Sequence, residues 1–323
     1  MSTVIVTGGA GFIGSNLADA LIADGHTVHV VDDLSHGTRE KVPADAVFHQ
    51  VDIRDQAAMA ALTRDADPDV VFHLAAQADV RRAIEDPAFD AAVNVAGTLN
   101  VLEAARAVGA KVVFASTGGA GYGEYEGLDV PTPESAQTRP LSHYGMSKMA
   151  AEGYCGLYER LYGMHTVVLR LGNVYGPRQD PHGEAGVVAI FAGRMLDGIP
   201  PTVFGDGLQT RDYVYVGDVV RGFMAAADRA PAGSVINIGN SAEVTVLDLI
   251  EGLGGDLAPE FKPARLGELQ RSALDNRLAK SLLGWEPQMP LDEGLQATYR
   301  SIAEHRRNPD ARPPGFLEVA ATA

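Results

Sequence analysis

The first fourteen residues restrict the possible folds of this chain more than any other stretch. Val4-Ile5-Val6 is a short apolar run of the kind a fully buried parallel strand shows, and Thr7-Gly8-Gly9-Ala10-Gly11-Phe12-Ile13-Gly14 follows at once. Glycines stand at 8, 11 and 14, and Phe12, Ile13, Leu17, Leu21 and Ile22 then recur at helical spacing, predicting a helix over 12–24. Strand, glycine turn and helix together make a diphosphate cradle. Glycine permits the tight turn and a close backbone approach, and the helix N-terminus aims N–H groups at phosphate oxygens.

The chain then repeats the strand–helix alternation. Val28 to Val31 is a second strand, ending at Asp32, 18 residues after Gly14, where a carboxylate meets ribose hydroxyls and repels a 2′-phosphate. NAD is therefore favoured over NADP. Further strands are predicted at Ala46 to Val51, Asp69 to Leu74, Lys111 to Ala115 and His165 to Leu171, with helical segments between them, the longest over 88–109. This order implies parallel strands with right-handed crossovers. The fold class is α/β, a doubly wound parallel Rossmann sheet. Ala75-Ala76-Gln77 is small enough for backbone to pass close to a ligand, and His73, at a strand end, reads as structural.

Ser142 is placed to cap a helix running to about Gly163, which carries Tyr144 and Lys148 four residues apart, on one face. A tyrosine titrates near ~10, and an adjacent ammonium in a partly dry site pulls it toward working pH. Tyr144 is thus a candidate proton acceptor for an alcohol. Cys155, the only cysteine, falls in the same helix and reads as core; no disulfide within the chain is available to it.

The formal charge of −16 argues against nucleic acid or an acidic membrane as partner, so any anionic ligand has to be held by a local cluster of cations. No basic leader precedes Val4 and no apolar run approaches a membrane span, which points to the cytoplasm. From Gly172 the character changes, with Asn173-Val174-Tyr175-Gly176-Pro177-Arg178, an apolar helix near 187–197 and Pro200-Pro201. The expected organisation is a dinucleotide-binding domain over 1–172 and about 212–239, a smaller lobe over about 173–211 and 240–306, and a flexible tail over 307–323. Tyr213 to Val216, a helix over 217–228 and Val235 to Ile238 are expected to return to the large sheet.

Taken together, TGGAGFIG at 7–14, DDLSHG at 32–37, FHLAAQ at 72–77, FASTGGAGYG at 114–123, YGMSK at 144–148, LRLGNVYGPRQ at 169–179, VFGDGLQTRDYVYV at 203–216 and RLGE at 265–268 resemble the extended short-chain dehydrogenase/reductases. Within them the pattern is similar to the UDP-glucose (UDP-galactose) 4-epimerases, over nearly the whole chain. The resemblance implies that Tyr144 is the acid/base, that Lys148 binds the nicotinamide ribose and depresses the Tyr144 pKa, and that Thr117 with Ser116 bonds the sugar O4. It implies NAD at Gly8, Gly11, Phe12, Ile13, Gly14, Asp32, Asp52, Ile53, Leu74, Ala75, Ala76 and Asn94. It implies a UDP-sugar at Asn173, Val187, Val188, Phe204, Arg211, Arg265 and Glu268, in a C-terminal substrate-binding lobe, and no metal. Arginine independently suits a diphosphate, because its planar fork matches phosphate oxygens.

The implied reaction is a redox-neutral inversion at C4 through a 4-ketose. Related lyases place an acid just after the catalytic Thr or Ser, whereas Gly118 and Gly119 stand here, disfavouring a dehydratase or decarboxylase. UDP-glucose/UDP-galactose ranks first. UDP-glucuronate ranks second, because acids in Gln179 to Glu184 would repel a C6 carboxylate, and a small Ser272 leaves space for an N-acetyl group. Gly121, where the family usually has a branched apolar residue, is expected to reshape the sugar pocket. Relatives pair as homodimers through the helices here at about 88–109 and 143–163. A non-catalytic NAD sensor is the reading from another class; such proteins commonly lose the Tyr or Lys.

Overall fold

The structure is a computed structural model and describes residues 1–181, 186–254, 257–264 and 269–321. Seven parallel strands form the central sheet: β1 (Thr3–Thr7), β2 (Thr27–Asp32), β3 (Val47–Gln50), β4 (Val70–His73), β5 (Lys111–Thr117), β6 (Thr166–Leu171) and, after four short strands, β11 (Ser234–Ile238). Their order is β3-β2-β1-β4-β5-β6-β11, so the winding reverses between β1 and β4. The crevice outside the strand ends at such a reversal is where open α/β sheets bind ligands.

Alternation along the strands divides the core. Val4, Val6, Phe72 and Val113 face one side, under α1 (Phe12–Ala23) and α8 (Val216–Arg229). Ile5, Val71, Val112 and Phe114 face the other, under α2 (Gln56–Ala66), α5 (Thr98–Val108) and α6 (His143–Tyr162). Both faces are covered, which is why these strands read as continuous apolar runs. Cys155 lies in the second cluster, fully buried, as its sequence context suggested.

The expected helix over 88–109 is present from Pro87 to Val108, with a π turn inside it. After α3 (Val80–Glu85), α4 (Pro87–Ala91) starts on the Asp86 cap, and the chain then widens into a π turn at Ala92–Gly97 before α5. Spacing alone does not reveal such a turn, which adds one residue to the hydrogen-bonded ring and is common at functional sites. The α6 boundaries follow the sequence signals: Ser142 Oγ accepts from Gly145 N at 3.0 Å, and Gly163 ends the helix at φ 65°.

Beyond β6 the chain builds the lobe from paired short strands. β7 (Asn173–Tyr175) pairs with β10 (Tyr213–Tyr215), β8 (Thr202–Phe204) with β13 (Glu260–Lys262), and β9 (Thr210–Arg211) with β12 (Val244–Thr245). The stretch 213–216 therefore does not return to the large sheet; only α8 and β11 do. α7 (Val187–Leu196), α9 (Val246–Gly252) and α11 (Leu291–Arg307) pack in the lobe, whose apolar residues are continuous with the α1/α8 side of the core, while α10 (Arg277–Leu283) lies against α8 and β11 of the large sheet.

The tail expected to be flexible from 307 is bound instead. α12 (Phe316–Ala321) lies against α1, where Phe316 N donates to Asn16 Oδ1 at 3.0 Å. Arg312 donates to Asp19 Oδ1 at 2.7 Å and to Lys41 O at 3.0 Å, and Arg178 Nε donates to Pro313 O at 2.8 Å. Its Pro and Arg content mimics a solvated end, but those residues meet partners far away in sequence. Only Thr322 and Ala323 of the tail lie outside the described residues.

Candidate active site

A cleft of about 1150 Å³ runs across the strand ends, between the sheet and the lobe. Its floor is the β1–β4 reversal. A Cβ at Gly8 (φ 71°) would meet Ala75 N at 2.7 Å, and one at Gly14 would stand 2.8 Å from Gly8 C and 2.9 Å from Gly9 Cα. The glycine turn thus leaves a bare backbone cradle at the start of α1, the form a diphosphate requires. Gly8, Gly11, Phe12, Ile13, Gly14, Asp32, Asp52, Ile53, Leu74, Ala75 and Ala76 all line this half.

Asp32 is tied into the cradle. Its carboxylate accepts from Ala10 N at 3.0 Å and Leu34 N at 2.8 Å, while burial pushes its pKa up. Asp52 is held by Arg54, whose hydrogen bonds keep its pKa down.

From α6, Tyr144 and Lys148 face the cleft, and Lys148 Nζ stands 4.2 Å from the centroid of the Phe114 ring. Burial dominates both groups. It pushes the Tyr144 phenol up to about 12, helped by the Asp90 charge, and brings the Lys148 ammonium down to about 8 against the pull of Cys155, Asp90 and Glu152. The resemblance implies that Lys148 depresses the Tyr144 pKa; the groups that act on the phenol here, burial and the Asp90 charge, both raise it.

Ser116 is on the cleft wall; its hydroxyl donates to Glu152 Oε2 at 3.1 Å. Thr117 is not on the wall, and its Oγ1 accepts from Ala120 N at 3.1 Å. Asn94 also stands back from the wall. Buried in the π turn, its side-chain oxygen accepts from Gln77 N at 2.9 Å, and its amide donates to Ser147 Oγ at 3.0 Å and Asp90 Oδ1 at 3.1 Å. His73 is fully buried between Thr7 Oγ1 (2.7 Å) and Thr98 Oγ1 (2.9 Å), with burial bringing its pKa down to about 3. Because Thr98 donates to Asn94 O, it accepts from His73 Nε2–H, so the ring is neutral and structural.

The lobe closes the other half of the cleft with Asn173, Val187, Val188, Phe204 and Arg211. Arg265 and Glu268 lie outside the described residues. Lys41, Arg194 and Lys262 line the cleft too. Sequence reasoning missed them, as it missed Asp90, whose only signal is its place four residues before Asn94. Gly121 is off the wall: a Cβ there would press Thr117 O at 2.5 Å and Met149 Cε at 2.8 Å, so its direct contacts are with the 117–121 turn and α6. Ser272 also lies off the wall.

Residues 4–239 match the model of the NAD dependent epimerase/dehydratase family. The UDP-glucose 4-epimerase of Mycolicibacterium smegmatis is 46% identical over 304 residues, covering 91% of this chain and 96% of the relative. The crystal structure of a Thermotoga maritima UDP-glucose 4-epimerase with UDP-glucose superposes with a TM-score of 0.91 at 46% identity, over 94% of this chain and 99% of that one. That of Thermus thermophilus UDP-glucose 4-epimerase in complex with NAD gives 0.87 at 44% identity, over 95% and 99%. With its glycine cradle, its paired Tyr144 and Lys148 and these relatives spanning nearly its whole length, the chain belongs to the NAD dependent epimerase/dehydratase family.

Proposed function

We propose that this protein is a UDP-sugar 4-epimerase that interconverts UDP-glucose and UDP-galactose with NAD as resident cofactor. The observation that carries this reading is the single cleft in which a bare glycine cradle, the Tyr144–Lys148 pair and the Asn173, Phe204 and Arg211 wall of the lobe meet. The cradle fits a dinucleotide because glycines at 8 and 14 let the turn, the start of α1 and the Ala75 backbone pack together with no side chain between them, a turn that a Cβ at either position would force apart. Gly8, Gly11 and the first turn of α1 would hold the diphosphate, and Asp32 would accept from ribose hydroxyls. Bound there, NAD supplies the hydride acceptor for the sugar C4 and a further positive charge in the site.

The chain's own residues supply the rest. Tyr144 takes the proton of the sugar O4 and returns it after the ketose has turned about its diphosphate linkage. Lys148, charged below about pH 8, stabilises the phenolate. Ser116, on the wall, is proposed to steady O4 while Thr117 shapes the turn behind it, with Arg211 and Arg265 gripping the UDP diphosphate. Asp180, on the wall, disfavours a C6 carboxylate; Glu184, cited with it, lies outside the described residues. A Cβ at Gly118 would stand 2.6 Å from Leu274 Cδ1, so the carboxylate that a dehydratase or decarboxylase places there would have to displace a buried leucine.

A homodimer through the α4–α5 region and α6 belongs to the proposal, supported by Met146, Leu161 and Tyr162, which α6 leaves exposed; a monomer by light scattering would refute that part. The deciding experiment incubates the protein separately with UDP-glucose, UDP-N-acetylglucosamine and UDP-glucuronate and resolves the epimers. Conversion of the glucose pair is expected. Conversion of the uronate alone overturns the choice of sugar, and no conversion of any leaves an NAD-binding sensor.

A further inference from the structure

We propose that Asp90 is a positioning residue of the reaction, a buried carboxylate that aligns, through the Asn94–Ser147 contact, the turn of α6 that carries Tyr144. The inference rests on the 4-epimerase reading above. Asp90 is 1% exposed, and its Oδ1 accepts from two neutral amides, Gln77 Nε2 at 3.1 Å and Asn94 Nδ2 at 3.1 Å. No ion pair reaches it among the described residues. A buried carboxylate without a cationic contact is costly, and such costs are tolerated most often where the charge acts on a site.

The geometry shows what it acts on. Asn94 Nδ2, bonded to Asp90, also donates to Ser147 Oγ, and Ser147 donates to Tyr144 O at 3.0 Å, so Asp90 braces the turn of α6 that carries the phenol. It sits at the end of α4, where the π turn re-aims the chain toward α6. The charged and titratable groups on the elements around it include Tyr144, Lys148, Glu152 and Cys155 of α6, His73 of β4, Arg81, Arg82 and Glu85 of α3, Asp86, the cap of α4, and Asp79, the cap of α3 whose carbonyl accepts from Gln77 Nε2 at 2.8 Å. Arg82 is turned away onto the Phe89 ring, 4.3 Å from its centroid. Within this set the Asp90 charge raises both the Tyr144 and the Lys148 pKa.

The test is Asp90→Asn, which keeps the shape and removes the charge, with Asp90→Glu as the charge-retaining control. The profile of kcat/KM against pH should move toward acid on both limbs by about half a pH unit or more, because a phenolate and an ammonium beside a lost negative charge both titrate lower. Asp90→Glu should keep both limbs in place even if its rate falls. A merely structural role lowers the rate without moving either limb, and that outcome overturns the proposal. Should Asp90→Asn fail to fold, Asp90→Ser leaves room for water beside Gln77 and Asn94 and carries the same charge test. A wild-type protein that epimerises nothing would instead sink the functional reading, so the two failures are distinguishable.

Discussion

Arg178→Ala measures how firmly the C-terminal segment is bound to α1. The Arg178 side chain is 0% exposed, with Nη1 at 2.6 Å from Asp19 Oδ2 and Nε on Pro313 O. Removing one partner of a buried ion pair costs about 3–5 kcal/mol when the other charge is stranded. Here Asp19 keeps Arg312 at 2.7 Å, so the stranded-charge part is reduced, but Pro313 O loses its donor, which costs about 1–3 kcal/mol, and a cavity opens. The net loss comes to about 3 kcal/mol, a fall of roughly 5 °C in Tm for a chain of this size. Alanine keeps the left-handed backbone at this position (φ 71°), so the comparison isolates the side chain. Differential scanning fluorimetry reads the shift, and limited proteolysis should show earlier cleavage after Arg307. A coupling test sharpens it. A Cβ at Gly315 would stand 2.8 Å from Arg178 Nη2, so Gly315→Ala should destabilise the wild type and cost much less in the Arg178→Ala background. A Tm within 1 °C of wild type for Arg178→Ala, or equal costs for Gly315→Ala in both backgrounds, would refute the clamp.

Three further outcomes are expected. Tyr144→Phe should retain NAD and lose about 10²–10⁴ of kcat, measured by single-turnover epimerisation; unimpaired turnover removes Tyr144 from the mechanism. Activity should fall as pH rises through about 8, where Lys148 loses its proton. The sign for folding is opposite: a lysine whose folded pKa lies below its unfolded 10.5 gains stability between about 8 and 10.5, so the activity loss should precede any alkaline unfolding, as parallel rate and melting curves would show. Gly14→Ala drives a methyl into the Gly8–Gly9 backbone and should weaken NAD binding by tenfold or more at a cost of about 1–3 kcal/mol, read by calorimetry; unchanged affinity would mean the cradle is not the diphosphate site.

The parts of this molecule legible in the sequence are those whose signal is local. β1, the glycine turn and α1 lie within Thr3–Ala23, and α6 is announced by its own cap and its own glycine. The parts that were not legible depend on pairing between distant residues. Tyr213–Tyr215 looks like one more core strand, yet it pairs with Asn173–Tyr175 because β11 already occupies the free edge of β6. Residues 308–321 look solvated because the partners of Arg312 and Phe316 are Asp19 and Asn16, about three hundred residues earlier. The π turn at Ala92–Gly97 shows no change of composition, and what marks it is Asn94 reaching Gln77 and Ser147.

A chain of net charge −16 that is to hold two nucleotide diphosphates has to concentrate cations in one place, and the cleft does so unevenly. Lys41, Arg81, Arg82, Lys148, Arg194, Arg211 and Lys262 face five carboxylates on its described walls, so the cleft is locally positive within an acidic molecule. The carboxylates gather on the cofactor side, at Asp32, Asp33 and Asp52, where neutral ribose and adenine are expected. Arg194, Arg211 and Lys262 stand on the lobe side, where the described wall carries Asp180 alone. In the proposed reaction this asymmetry would draw a sugar nucleotide in by the lobe, with its reacting end toward α6. Burial pushes the Tyr144 phenol up to about 12, with the Asp90 charge acting in the same direction. In the proposed reaction the nicotinamide ring of bound NAD would add positive charge beside Tyr144 and favour its phenolate. Loss of either Lys148 or the cofactor should then raise the pH at which Tyr144 ionises, a dependence that difference absorbance of the phenolate can follow directly.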